Sequence, residues 1–266
     1  MRGALPDFLI VGAQKAGTTS LWHNLSRHPQ IHMARHGDAG GQREIHFFDR
    51  EDHWARGIEW YRSFFPETQC VQGEKTPEYM ALPKARERMA RIVPRAKLVI
   101  LLRNPVTRAY SHWNHLRENE GLLEDFGEAV DAACRAVPGP FELLLTRGDY
   151  LEQIRSLLRL FPREQLYIAI AERFRADAVS EYNRVLRFLE CDPSATGYES
   201  VHVRGYPAPM EARVGAMLAD HYAESVEALR AFLGDEIPEW QPREASRLVR
   251  AWQRIGSATW RRGRGS

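Results

Sequence analysis

Lysine is scarce in this chain of 266 residues: four (Lys15, Lys75, Lys84 and Lys97) stand among 37 basic residues, the other 33 being arginine. A chain that writes arginine wherever a generic positive charge serves keeps lysine where a compact ammonium is needed beside a reacting atom. Cysteine is scarcer still. Cys70, Cys134 and Cys191 are odd in number, widely spaced and without a C-x-x-C, which excludes a disulfide framework and a cysteine zinc site and fits a reducing, cytoplasmic setting. No run of 18 apolar residues occurs, and no leader-type apolar stretch opens the chain, so neither a membrane span nor membrane association is expected. No charge of one sign dominates. The net charge is +2 with acids and bases interleaved, so nucleic acid is not an expected partner. With 44% hydrophobic content the chain can bury one substantial core, which predicts a single domain over residues 1–256 and a flexible basic tail over 257–266.

Against those absences stands one informative stretch, FLIVGAQKAGTTSLW, residues 8–22. An apolar strand (Phe8 to Val11) empties into a loop bounded by Gly12 and Gly17 and then into a helix opened by Thr18, Thr19 and Ser20. This arrangement is a phosphate cradle, because the unpaired amides at a helix start carry the positive end of the helix dipole. It departs from the nucleoside-triphosphatase pattern, in which a lysine follows the second glycine. Here Thr18 follows Gly17, and the only lysine, Lys15, lies inside the loop. The cradle therefore suits a single 5′-phosphate group more than a triphosphate with magnesium.

The rest of the chain reads as α/β. A helix from Thr18 to Arg27 stops at Pro29, and a charged, glycine-rich loop spans 34–43. An aromatic helix covers 55–65, and a strand at 70–73 runs into Glu74-Lys75-Thr76-Pro77. A helix over 83–92 precedes the clearest strand, KLVILL (97–102), which opens into Arg103-Asn104-Pro105 and a helix to about Asn119. Apolar stripes predict helices around 151–161 and 214–232, with one more buried strand at 166–170. His112 and His115 lack a third ligand at metal spacing and read as a solvated helix face. No internal repeat is present. The expected fold is a central parallel sheet flanked by helices, with ligands at the carboxyl edge of its strands.

In order along the chain, GAQKAGTTSL, EIHFFD, EKTPEY, LLRNPVTRAYSHW and VRGYPAPM resemble the sulfotransferases that use 3′-phosphoadenosine 5′-phosphosulfate, especially the heparan sulfate sulfotransferase group. The resemblance covers roughly residues 8–240 and implies that phosphosulfate is the co-substrate, adenosine 3′,5′-bisphosphate the product, and no metal required. It implies that the P-loop-like cradle, Lys15, Ala16, Gly17, Thr18 and Thr19, binds the 5′-phosphosulfate, and that Arg103 and Ser111 bind the 3′-phosphate. Arg204, Gly205 and Tyr206 match a loop that closes over the donor. The resemblance makes Lys15 and Lys75 the cations at the sulfuryl group and Glu44 the base, with His46 orienting Glu44 or touching the acceptor.

Residue chemistry supports that reading separately. A donor with phosphates at both the 5′ and 3′ positions needs two anion sites on one sheet edge. In-line transfer needs cations where charge builds and a base where the acceptor loses its proton. For Glu44 to serve as that base, burial by Ile45, Phe47 and Phe48 should raise its pKa. The expected acceptor is a hydroxyl or amine on a sugar, a glycoconjugate or a small molecule such as a bacterial natural product. The sequence leaves the oligomeric state open. Two other readings remain open at this stage, a P-loop phosphotransferase and a catalytically silent nucleotide-binding module.

Overall fold

The computed structural model describes residues 3–36, 44–121, 124–135, 142–194, 197–201, 206 and 208–241. Its elements begin with β1 (Phe8–Gly12), α1 (Thr18–Leu25), β2 (Ile31–Met33), α2 (Glu51–Trp54), α3 (Gly57–Arg62), β3 (Val71–Lys75), α4 (Pro83–Ile92) and β4 (Lys97–Leu102). They continue with α5 (Pro105–Glu120), α6 (Phe126–Cys134), α7 (Glu142–Thr146), α8 (Tyr150–Leu158), β5 (Leu166–Ile170), α9 (Ala171–Ala176), α10 (Ala178–Phe188) and α11 (Ala212–Leu233). The fold is α/β, with all five strands parallel in the order β2-β3-β1-β4-β5. The basic tail lies outside the described residues.

The chain falls into two compact units. The first, Met1–Arg103 with Asp149–His202, contains the whole sheet. Its centre is β1 and β4, whose apolar side chains are almost entirely excluded from water, as expected of parallel strands covered on both faces. From β1 the chain runs outward to the β2 edge, returns through β3, and then crosses to β4 and β5 on the other side. The order thus reverses around β1, and the crevice at the carboxyl ends of such strands is where α/β sheets bind ligands.

The second unit, Asn104–Gly148 with Val203–Ser266, holds α5, α6, α7 and α11. Its core joins Tyr110, Trp113, Phe126, Leu144, Val214, Leu218 and Tyr222. His112 lies in this unit at 4% exposure. The solvated face expected of His112 is therefore wrong, because α5 is buried on more than one side, residues 108–114 all being excluded from water.

Two local differences from the sequence reading matter for the site. The aromatic helix expected over 55–65 is instead α2 and α3, separated by Ala55 and Arg56, with Gly57 opening α3 at φ +80°. Strand β3 continues past Gly73 to Lys75, with Lys75 in register with Ile10 of β1. Its VQGEK sequence conceals a central strand because Gln72, Glu74 and Lys75 are polar and nonetheless buried.

Candidate functional site

Strand β1 delivers the cradle through an irregularity. Its pairing with β4 shifts register between Ile10 and Gly12, a break that re-aims a chain at a sheet rim. Gly12 is there for close packing: a Cβ at this position would stand 2.7 Å from the Met80 sulfur. Gly17 serves the turn, at φ +95°, a conformation that costs other residues about 1 kcal/mol or more. Helix α1 starts at that glycine with no side-chain cap and no acid in its first turn. The start of α1 is thus suited to an anion from outside the chain. Lys15 sits within the loop at φ +70°. The loop is braced from two sides: Arg103 Nη1 donates to the Lys15 carbonyl at 2.9 Å, and Gln14 Nε2 donates to Glu78 Oε1 at 2.6 Å.

Next to β1, the end of β3 presents Lys75, which is 1% exposed. Its ammonium is hydrogen-bonded to Glu44 Oε1 and lies 3.5 Å from Thr19 Oγ1 on α1. The other Glu44 oxygen is 3.2 Å from His46 Nε2, and His46 Nδ1 is 2.8 Å from Asp49 Oδ2. A ring with a carboxylate on each nitrogen must carry both protons to satisfy both. The site is therefore a line of alternating charge: Lys75, Glu44, His46, Asp49.

Titration follows from that line. Burial by itself would raise the Glu44 carboxyl, but hydrogen bonds from His46 and Lys75 and their charges outweigh it, and the pKa falls to about 2. The raised Glu44 pKa expected from its apolar neighbours is therefore corrected, because its polar neighbours are two cations. For His46, burial favours the neutral ring, yet the bonds to Asp49 and Glu44 and the nearby acids raise its pKa to about 10.

The segment carrying Glu44 and His46 belongs to no strand, so side chains satisfy its backbone instead. His53 Nδ1 lies 2.7 Å from the Ile45 carbonyl, Thr76 Oγ1 accepts from His46 N at 3.4 Å, and Tyr79 Oη accepts from Phe47 N at 2.9 Å. Phe47 stacks on Tyr61 with centroids 4.4 Å apart and planes within 9°.

Of the residues singled out in the sequence, Lys15, Ala16, Gly17, Thr18 and Thr19 form the cradle, and Glu44, His46 and Lys75 converge beside it. Arg103 ends β4 with one guanidinium nitrogen on the cradle loop. Ser111 is on α5 in the second unit, where Tyr206 packs edge-on against Tyr110 at 5.1 Å. Arg204 and Gly205 lie outside the described residues, as do residues 37–43 of the charged loop. Sequence reading missed Asp49, Glu78 and Gln14. Asp49 stands three residues after His46, a spacing that offered a signal; Gln14 and Glu78 are joined only by the fold.

Glu44, His46 and Glu78 form the group of potential metal ligands found among the described residues, with ligand atoms within 4.8 Å of one another. Both Glu44 oxygens already face cations, and a doubly protonated His46 offers no lone pair, so a cation would have to displace protons and Lys75 together.

Comparison with known proteins places this geometry in context. Residues 5–204 match the sulfotransferase domain family. The chain is 30% identical over 282 residues to the human bifunctional heparan sulfate N-deacetylase/N-sulfotransferase 3, an alignment covering 92% of this chain and 32% of that protein. It is 31% identical over 201 residues to the mouse heparan sulfate glucosamine 3-O-sulfotransferase 5, covering 73% of this chain and 56% of that protein. The chain therefore spans about a third to just over half of these relatives. A crystal structure of a sulfotransferase from Alicyclobacillus acidocaldarius superposes with a TM-score of 0.75 at 28% identity, covering 89% of this chain and 99% of that one.

Proposed function

We propose a function from one premise: the chain belongs to the sulfotransferase domain family. It transfers the sulfuryl group of 3′-phosphoadenosine 5′-phosphosulfate to a hydroxyl or amine and releases adenosine 3′,5′-bisphosphate. The observation that carries this reading is the charge line of Lys75, Glu44, His46 and Asp49 beside a cradle whose helix start has no side-chain cap. It offers a cation for the sulfuryl oxygens and a carboxylate for the acceptor proton within one hydrogen-bonded unit.

In this proposal the α1 amides, Lys15, Thr18 and Thr19 hold the 5′-phosphosulfate. Arg103, at the end of β4 beside the cradle, holds the 3′-phosphate. Lys75 turns from Glu44 to the sulfuryl oxygens as donor binds. That move removes positive charge from Glu44, raises its proton affinity and frees one oxygen to receive the acceptor proton. His46, held cationic by Asp49, keeps Glu44 oriented. The acceptor class is sugar-containing, in keeping with the names of the heparan sulfate relatives, with a small-molecule natural product as the alternative. The three free cysteines accord with a cytoplasmic setting, and no described helix is long and apolar enough to cross a membrane.

The test combines binding and transfer. Calorimetry should find adenosine 3′,5′-bisphosphate bound more tightly than the 5′-monophosphate by about 2 kcal/mol or more, the value of charged hydrogen bonds to one phosphate. Labelled sulfate should pass from phosphosulfate to members of a panel of amino-sugar and hydroxyl acceptors. Equal affinities, with phosphoryl transfer from ATP and magnesium instead, would overturn the proposal.

A further inference from the structure

We propose that Glu74, buried beneath the acceptor side of the site, is a positioning residue that fixes the backbone at 46–48 and thereby the line Glu44, His46, Asp49. The kinetic part of this inference rests on the sulfotransferase reading; the geometric part does not.

Glu74 precedes Lys75 on β3, so the two side chains leave opposite faces of the strand. Lys75 meets Glu44, and Glu74 enters the core at 0% exposure. Its partners are three hydroxyls. Tyr61 Oη donates to Oε1 at 2.6 Å, Thr76 Oγ1 to Oε2 at 2.9 Å, and Tyr79 Oη to Oε1 at 3.1 Å. Burying a carboxylate costs more than burying an apolar residue of that size, so its presence needs a purpose beyond stability.

That purpose is visible in what the hydroxyls do next. An ionised carboxylate only accepts, so it fixes the hydrogen of each hydroxyl toward itself and leaves the oxygen lone pairs facing away. Two of those oxygens then receive amides of the site segment: Thr76 from His46 at 3.4 Å, and Tyr79 from Phe47 at 2.9 Å and Phe48 at 3.4 Å. His46 has φ +54°, a left-handed conformation that persists in a non-glycine residue only when its surroundings hold it. Glu74 orients the groups that hold it.

The carboxyl is also poised to change state. Burial, opposed by the hydroxyls of Tyr61, Thr76 and Tyr79 and aided to a smaller extent by the like charge of Asp49, raises its pKa to about 7. On protonation one carboxyl oxygen donates and the hydroxyl opposite it turns its hydrogen away; at Thr76 or Tyr79 that hydrogen turns toward the amide the hydroxyl holds. Tyr61 of α3, Thr76 and Tyr79 of the turn after β3, and Asp49 of the 44–49 segment are the groups that face it.

The test uses the full chain with Glu74→Gln and Tyr79→Phe. The His46 imidazole resonances report positioning directly, and steady-state kinetics with phosphosulfate report its consequence. Both variants should shift the His46 resonances and lower kcat about tenfold or more, with the donor KM within about threefold, since a small misplacement of a reacting group damages turnover more than binding. The acid limb of kcat near pH 7 should vanish in Glu74→Gln. Unchanged His46 resonances and unchanged kcat in both folded variants would overturn the inference. If Glu74→Gln does not fold, Tyr79→Phe decides, because it removes only the hydroxyl that links Glu74 to Phe47 and Phe48. If the unmodified chain transfers no sulfuryl group, the proposed function fails and the His46 resonances still decide this one.

Discussion

In the proposed function two of the four lysines, Lys15 and Lys75, carry the cation chemistry, and each is closely confined. Lys15 lies in a tight left-handed loop position, and Lys75 is 1% exposed between Glu44 and Thr19. A planar guanidinium is broader and sends its donors in fixed directions. Lys15→Arg should therefore cost nearly as much turnover as Lys15→Ala while weakening adenosine 3′,5′-bisphosphate binding less. Near-normal turnover in Lys15→Arg would reduce Lys15 to generic attraction. Glu44→Gln should lower turnover by about 10² to 10⁴, the usual effect of removing a general base. Because Glu44 is held at about pKa 2 by its two cations, its removal should leave the profile of kcat/KM for the donor unshifted between pH 5 and 8, the range in which a raised carboxyl would have titrated. A limb in that range abolished by Glu44→Gln would show that the carboxyl titrates higher than its partners allow.

Helices α1 and α5 follow strands β1 and β4 yet begin in opposite ways. Helix α1 begins at a left-handed glycine without a side-chain cap, whereas α5 is capped by Asn104, whose Oδ1 accepts from Val106 N at 3.1 Å and Thr107 N at 3.3 Å. One start has no side-chain cap and the other is capped by the chain. Asn104→Ala should therefore destabilise the protein by about 1 kcal/mol, the typical value of such a cap, read as a lower urea midpoint at unchanged m-value. No change in midpoint would show that the cap contributes nothing there. The strand ends were legible where apolar runs meet glycine or proline, as at β1 and β4. Strand β3 was less legible because its last two residues are charged, and their burial depends on partners from α1, α3 and the 44–49 segment.

For the whole molecule, the charged line couples folding to pH. His46 has its pKa raised to about 10 from an ordinary 6.5, so its stabilisation is complete below pH 6.5 and is lost as pH rises through 10. Glu44, lowered from 4.5 to about 2, contributes stability that is present above pH 4.5 and lost as pH falls toward 2. Relative to His46→Gln, the unmodified protein should lose about 2 kcal/mol or more of unfolding free energy between pH 6.5 and 10, measured by urea denaturation across that range. A parallel pH dependence in the two proteins would mean that the imidazolium is not held by Asp49 and Glu44.

The amino-acid sequence by itself determined the parallel α/β class and the glycine-bounded loop with Lys15, because local spacing and hydrophobic period act over a few residues and leave a readable trace, while the resemblance of their motifs drew attention to Glu44, His46 and Lys75. Only the tertiary structure decided how those residues behave. Glu44 is a depressed carboxylate because Lys75, 31 positions away, and His46 both reach it. Asp49 makes His46 a cation, and Glu74 is buried against Tyr61, Thr76 and Tyr79. Protonation depends on burial and on charges within a few ångströms in space, and those distances are set when β3 pairs with β1 and the 44–49 segment settles against Thr76 and Tyr79.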